Sequence, residues 1–223
     1  MKVLYLEFPY KGRFLLPKRI IESLPDSLAI VTTTQYIHQL DSIVASLKKQ
    51  GKSVFVPDVY GSVYKGQILG CSIAKIKGSF DAFLYIGEGK FHPLGLLFNS
   101  EKDVYCFNPM NKSLNILGKK EREDLIKKSN ARKSLFLKSK NIGILFSIKP
   151  GQFSHLPIKS LEEKFPEKTF YPLIGDNIDE ASLEDFSFID SFINTACPRI
   201  SIDSSSNKII DIQEVEELIT QSK

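Results

Sequence analysis

Short apolar runs alternate with helical segments along the chain, and this alternation constrains the fold more than any other feature of the sequence. Runs typical of buried strands lie at residues 3–8, 28–33, 53–56, 82–86, 104–107, 142–147, 170–173 and 188–195. Segments with apolar residues at helical spacing lie between or beyond them, at residues 16–24, 35–50, 91–99, 121–137, 156–165 and 212–221. Strands joined through helices pair in parallel, so the sequence predicts an α/β protein.

The same alternation occurs twice, which predicts two similar small domains, each a mostly parallel sheet flanked by helices. We place the boundary near Gly118, giving domains of residues 1–118 and 119–223. Thr34 is expected to cap the helix of residues 35–50, and a short helix is expected after Cys71.

Composition excludes several protein classes. The 42% of hydrophobic and 25% of charged residues are ordinary for a globular protein and exclude the disordered, collagen-like and coiled-coil classes. No run of about 18 apolar residues occurs, so no membrane partner is expected. The N-terminus lacks the pattern of a signal peptide, which predicts a cytoplasmic protein.

The net charge of +4 gives little reason to expect a nucleic-acid partner. Most of the basic density lies at residues 119–140 and is typical of a solvated helix face, with phosphate binding as the alternative. The aromatic residues are spread through the strands and form no stacking platform, so direct nucleic-acid binding is not expected. The hydrolase motifs G-x-S-x-G and H-E-x-x-H do not occur.

The chain has three cysteines, Cys71, Cys106 and Cys197, and they lie far apart without any C-x-x-C pair. Their odd number and wide spacing argue against a disulfide framework. The sequence leaves two interpretations open, which are buried inert thiols or thiolates that meet only after folding.

Four loops follow predicted strands, where open parallel sheets bind their ligands. They are GQILGC (66–71), GEGKFHPLG (87–95), SIKPGQ (147–152) and ACPRISID (196–203). The first is either a ligand loop or a glycine-rich connection beside a core thiol. In the second, His92 stands at a helix entry that suits an anion, or caps that helix.

The last two loops carry polar side chains suited to a small ligand. Gln152 is a neutral hydrogen-bonding group near a predicted helix start. Arg199 offers a planar fork for a carboxylate, with Asp203 as its alternative, internal partner.

These loops, together with IVTTTQYIHQL (30–40) and NPMNKSL (108–114), resemble the enzymes of the first step of diphthamide synthesis, a family of noncanonical radical S-adenosylmethionine proteins. The resemblance covers almost the whole chain. It implies a [4Fe-4S] cluster and S-adenosylmethionine as cofactors. It also implies transfer of a 3-amino-3-carboxypropyl group to a histidine of translation elongation factor 2, the protein substrate.

The resemblance also implies roles for individual residues. Cys71 and Cys197 occupy two of the three cluster-cysteine motifs of the family, and thiolates suit iron-sulfur chemistry. Cofactor binding is implied for four residues in the matching motifs, Ser147, Gln152, Arg199 and Asp203. His92 is implied to contact the substrate, whereas Cys106 lies at a strand position that the family does not use for ligation.

The family places a domain with the first cluster cysteine ahead of the segment that resembles residues 3–8. Three hypotheses remain for the missing ligand. A separate polypeptide supplies that domain, which we favour because the motifs of this chain are intact. Alternatively, the chain is a noncatalytic partner of a complete paralogous subunit, or it is a cluster-free binding protein.

Overall fold

The computed structural model describes Leu4 and residues 6–70, 76–152 and 158–221. It consists of two compact units, residues 1–124 and 125–223. Each unit contains a mostly or wholly parallel sheet with helices around it, which confirms the predicted α/β class. The division falls inside a long helix, Lys119–Lys138, whose first residue follows the predicted boundary at Gly118.

Unit 1 contains a five-stranded sheet in the order β2-β1-β3-β4-β5. Its strands are β1 (Ser27–Thr32), β2 (Ser53–Phe55), β3 (Ala82–Ile86), β4 (Val104–Asn108) and β5 (Ser113–Leu117). Its helices are α1 (Lys18–Ser23), α2 (Leu40–Lys49) and α3 (Phe91–Phe98), with a 3-10 turn at Ile37–Gln39. The first four strands are parallel and β5 is antiparallel to β4, so β1 and β3 lie at the centre and are buried on both faces.

Unit 2 contains a four-stranded, wholly parallel sheet in the order β7-β6-β8-β9. Its strands are β6 (Asn141–Ser147), β7 (Thr169–Gly175), β8 (Ser191–Asn194) and β9 (Ile209–Asp211). The helices that follow the division or cross it are α4 (Lys119–Lys138), α5 (Ile158–Lys164), α6 (Glu180–Leu183), α7 (Arg199–Asp203) and α8 (Ile212–Gln221). Ser147 pairs with Gly175 and Leu145 with Asn194, so neighbouring strands end near one edge of the sheet.

The core of unit 2 combines apolar packing with one buried ion pair. Phe136 of α4, Ile144 of β6 and Val215 of α8 are fully buried within one apolar cluster. On the same two helices, the Arg132 guanidinium donates two hydrogen bonds to the Glu214 carboxylate, at 2.9 and 3.0 Å. Because both side chains are largely buried, this pair fixes α4 against α8.

The predicted strand at residues 3–8 is wrong for the residues that the structure describes there. Leu4, Leu6 and Phe8 lie outside any strand and are 80, 68 and 80% exposed. The cause is the lack of a neighbour, since no strand of the described sheets pairs with this segment.

One predicted helix begins later than expected. The regular helix starts at Leu40, with Gln39 at its N-cap position, so Thr34 does not cap it. The Thr34 hydroxyl instead accepts a hydrogen bond from Gln67 Nε2 at 2.6 Å. The short helix expected after Cys71 lies outside the described residues.

The strand predicted from residue 188 begins at Ser191. Before it, the Asp190 carboxylate accepts hydrogen bonds from the backbone N–H groups of Lys140 and Asn141, at 2.9 and 2.8 Å. The N–H of Asp190 also donates to the Asn141 carbonyl at 2.9 Å, so Asp190 is tied to the start of β6 by both its backbone and its side chain. Among the described helices, none has the length and apolar character needed to cross a membrane.

Candidate functional site

Four of the residues singled out in the sequence line one cavity of unit 2. The cavity has a volume of about 430 Å³ and is formed by the loops after β6, β7 and β8. Its lining residues are Ser147, Lys149, Gln152, Asp176, Asn177, Ile178, Asp179, Cys197, Arg199 and Ile200. Ser147, Gln152, Cys197 and Arg199 are thus brought together at the edge where parallel sheets bind ligands.

The loop after β6 is held in a compact turn. Ser147 is buried at the end of β6, and its hydroxyl donates to Gln152 Oε1 at 3.3 Å. The same hydroxyl accepts from the backbone N–H of Lys149, and the N–H of Gln152 donates to the Lys149 carbonyl. The hydrogen bond from the buried Ser147 hydroxyl therefore orients the Gln152 side-chain amide.

Arg199 and Asp203 form an ion pair on α7. Arg199 Nε lies 2.7 Å from Asp203 Oδ2, and both side chains are more than half exposed. The internal pairing considered from the sequence is therefore present. The planar guanidinium group carries several donors, a geometry that suits recognition of a carboxylate.

The cavity is lined by charges of both signs, of which only Arg199 was predicted from the sequence. Lys149 and Arg199 are cationic, whereas Asp176 and Asp179 are anionic. Lys149 Nζ donates to Asn177 Oδ1 at 2.6 Å, and Asp179 Oδ1 caps α6 through the N–H of Ser182. A zwitterion, with a carboxylate and an ammonium group, suits such a lining. The signal available in the sequence was the position of IGDNID directly after a strand.

Cys197 is a half-buried free thiol at this cavity. Behind it, Asn194 at the end of β8 and Asp211 at the end of β9 are joined by a hydrogen bond of 2.7 Å. Burial raises the pKa of Asp211 to about 6, in spite of hydrogen bonds from Ser201 and Asn194 that lower it. No motif in the sequence pointed to this half-buried polar group.

In unit 1, His92 lies on α3 against aromatic rings. Its ring centroid is 6.2 Å from that of Tyr85 and 5.2 Å from that of Phe91. Glu88, in the preceding loop, accepts a 2.7 Å hydrogen bond from the buried Tyr36 hydroxyl. Burial and the contact with Glu88 raise the pKa of Tyr36, so Tyr36 remains a donor. The substrate role of His92 stays a prediction.

The backbone conformation at position 66, in the first glycine loop, requires a glycine. It has a φ of +75°, and an added Cβ would lie 2.6 Å from a side-chain carbon of Leu40. The tight turn expected in this loop is therefore present.

The three cysteines differ in what the structure shows of them. Cys71 lies outside the described residues. Burial raises the pKa of the Cys106 thiol on β4 to about 12, so this thiol stays protonated near neutral pH. Within the described ranges no group of three potential metal-ligating side chains occurs. Cys197 alone fits a cluster ligand there, since a free thiol beside a polar cavity has the soft donor atom that iron-sulfur chemistry uses.

The sequence matches a known family over nearly its whole length. The model of the diphthamide synthesis protein family matches residues 2–221. The 2-(3-amino-3-carboxypropyl)histidine synthase of Pyrococcus horikoshii is 29% identical over 207 residues, which are 89% of this chain and 59% of that enzyme. Subunit 1 of the synthase of Schizosaccharomyces pombe is 32% identical over 187 residues, which are 79% of this chain and 42% of that subunit.

Solved structures show the same similarity. The crystal structure of Dph2 from Pyrococcus horikoshii superposes with a TM-score of 0.78 at 27% identity, covering 92% of this chain and 60% of that one. A crystal structure of the same protein with a 4Fe-4S cluster gives a TM-score of 0.77, also at 27% identity, over 91% of this chain and 60% of that one. The chain thus spans less than two thirds of the length of these relatives.

Proposed function

The chain belongs to the diphthamide synthesis protein family, and on that premise we propose that it forms part of the enzyme for the first step of the pathway. The reaction transfers a 3-amino-3-carboxypropyl group from S-adenosylmethionine to a histidine of translation elongation factor 2. One observation carries the proposal, which is that Ser147, Gln152, Cys197 and Arg199 line a single cavity.

In this proposal the cavity binds the methionine portion of S-adenosylmethionine. The Arg199 guanidinium binds the carboxylate, and Asp176 offers a negative charge to the ammonium group. Gln152, held by Ser147, can donate or accept a hydrogen bond and so orients the bound group. These contacts fix the cofactor beside Cys197.

Cys71 and Cys197 are proposed as two thiolate ligands of a [4Fe-4S] cluster, the type of cluster that the Pyrococcus horikoshii structure contains. When bound, the cluster supplies the electron for cleavage of the bond between sulfur and the transferred group. The third ligand is proposed to come from outside residues 1–223, because the resemblance assigns no cluster ligand to the strand position of Cys106 on β4. We propose that a further domain carries this ligand.

The test is anaerobic reconstitution of the chain with iron and sulfide, together with a polypeptide that carries the further domain. Cys71→Ser and Cys197→Ser should each lower the bound iron and abolish transfer of labelled 3-amino-3-carboxypropyl group to elongation factor 2. Cys106→Ser is the matched control and should retain both.

Two outcomes would contradict the proposal in different ways. Full iron binding and transfer by both Cys71→Ser and Cys197→Ser would make the chain a noncatalytic partner of a complete paralogous subunit. Binding of S-adenosylmethionine without iron, under every condition of reconstitution, would make it a cluster-free binding protein.

A further inference from the structure

We infer that Asn194 and Asp211 are positioning residues that hold the backbone of Cys197 in one arrangement before any metal binds. The inference rests on the proposed role of Cys197 as a cluster ligand. It concerns two polar side chains, the buried Asn194 and the half-buried Asp211, which belong to no motif discussed above and lie behind the cavity, at the ends of β8 and β9.

The Asn194 side chain is fixed on every side. Its Nδ2 donates to the Cys197 carbonyl at 2.9 Å and to Asp211 Oδ1 at 2.7 Å, while its Oδ1 accepts from the N–H of Ala196 at 3.0 Å. Asn194 is 1% exposed, so water does not compete for these bonds. Both hydrogens of the Asn194 amide are donated, one of them to the backbone carbonyl of Cys197.

Further hydrogen bonds hold the loop around Cys197. The Cys197 carbonyl also accepts from the N–H of Ile200 at 3.0 Å. The Ser201 hydroxyl is within hydrogen-bonding distance of the Pro198 carbonyl, at 2.9 Å, and of Asp211 Oδ2. Asp211 therefore contacts the loop from both of its oxygens, through Asn194 on one side and Ser201 on the other.

Asp211 is in turn connected to the helices of unit 2. Its backbone N–H donates to Glu214 Oε2 at 3.1 Å, and Glu214 forms the buried ion pair with Arg132. The polar connection thus runs from α4 through α8 and β9 to the cysteine loop. A loop anchored to packed helices loses little further freedom when its thiolate binds iron, and this favours retention of the metal.

If Asn194 served folding alone, its side chain would not need to donate to the carbonyl of Cys197 itself. The contact predicts instead that the Cys197 thiol itself responds when the pair is disrupted, even in metal-free protein. This response can be measured without any enzyme assay.

The experiment compares Asn194→Leu and Asp211→Leu with the unsubstituted chain, using folded proteins checked by circular dichroism and thermal melting. The first readout is the rate at which iodoacetamide alkylates Cys197 in the metal-free chain, followed by mass spectrometry. The second is the rate at which a chelator removes iron after anaerobic reconstitution. We expect both rates to rise about fivefold or more, because the loop is no longer held in one arrangement.

Two matched variants separate positioning from general destabilisation. Asp211→Asn keeps an acceptor for Asn194 and a group that can bond Ser201, so it should restore both rates to within about twofold. Ser191→Ala, also on β8, removes a buried hydroxyl that has no hydrogen-bond partner in the described part of the chain, and it should change neither rate. If Asn194→Leu does not fold, Asn194→Asp replaces it, since that variant keeps the acceptor for Ala196 and lacks the donor.

Unchanged alkylation of Cys197 in folded variants would overturn the inference, as would an Asp211→Asn protein as reactive as Asp211→Leu. Failure of the proposed function looks different. In that case the unsubstituted chain and its further domain retain no iron, while the alkylation rates still report on the loop.

Discussion

Arg199 takes part in an ion pair and also lies at the candidate cavity. It pairs with Asp203 through Nε, at the solvent-exposed side of α7, and it also lines the cavity that contains Gln152. An exposed ion pair of this type contributes little to stability. Its role is better tested by ligand binding than by unfolding.

Replacing Arg199 with lysine should weaken binding of S-adenosylmethionine about tenfold to a hundredfold, because an ammonium group cannot bind a carboxylate with two parallel hydrogen bonds. Equilibrium dialysis of the anaerobic, reconstituted protein measures this. Arg13→Lys, an exposed arginine of unit 1, is the control and should bind normally. Equal affinity of the Arg199→Lys protein would remove Arg199 from the binding site.

Asp211 should give the free energy of unfolding a distinct pH dependence. Its pKa in the folded chain, about 6, lies above its ordinary value of 3.8, chiefly because of burial, with Glu214 raising it and Arg132, Ser201 and Asn194 lowering it. The protonated form is favoured by folding, so the stabilisation is complete below pH 3.8 and is lost as the pH rises through 6. Asp211→Asn does not titrate, and its stability relative to the unsubstituted chain should increase by roughly 2 kcal/mol between pH 4 and pH 8.

Urea unfolding at four pH values measures that difference. Asp190→Asn provides a control of opposite sign, since hydrogen bonds from the backbone of Asn141 and Lys140 lower the pKa of Asp190. Its carboxylate stabilises the fold at neutral pH and loses this effect as the pH falls. A pH-independent difference for Asp211→Asn would show that Asp211 titrates normally.

At the scale of helices and strands, the elements with a continuous apolar pattern were predictable and those defined by distant partners were not. Strand β3, Ala82–Ile86, was predicted residue for residue because its five side chains are all buried. The short strands β5 and β9 were missed, since only pairing with β4 and β8 makes them strands. The segment at residues 3–8 has a strand-like composition but no described strand beside it.

The same limit applies to the candidate site. Ser147, Gln152, Cys197 and Arg199 could be found because each follows a strand in a recognisable loop. Asn194 and Asp211 could not, because they are separated by 17 residues and become partners only when β8 pairs with β9. Lys149 and Asp176 were missed since charged loop residues are common on any surface.

The ion pair between α4 and α8 makes the packing of these helices sensitive to single substitutions. Arg132→Leu should lower the free energy of unfolding by about 3–5 kcal/mol, since it leaves the buried Glu214 carboxylate without its partner. The double variant Arg132→Leu, Glu214→Leu should recover much of that loss, because no unpaired charge remains. Urea denaturation measures both, and a double variant no more stable than Arg132→Leu would contradict this account.

At the scale of the whole molecule, the chain repeats one architecture. Each unit is built on a sheet whose central strands are parallel, and in each unit two of the four candidate loops follow strands of that sheet. The Pyrococcus horikoshii enzyme extends well beyond the 59% of its length that this chain covers.

Reconstituted by itself, the chain should retain less iron than it does together with a polypeptide carrying the further domain, because two thiolates leave part of a cluster without protein ligands. Iron and sulfide analysis after gel filtration measures the difference. A partner polypeptide whose cluster cysteine is replaced by serine is the control. Equal iron retention with and without that cysteine would contradict a shared cluster.

The protonated thiol of Cys106 has a consequence for the proposed iron-sulfur chemistry. A thiol that does not ionise near neutral pH is a slow nucleophile and a poor ligand for stray metal. Were the proposed cluster lost to oxidation, such a cysteine would not readily form a wrong disulfide, and reassembly could start from the proposed ligands Cys71 and Cys197. Cys106, placed within β4, is therefore expected to take no part in thiol oxidation.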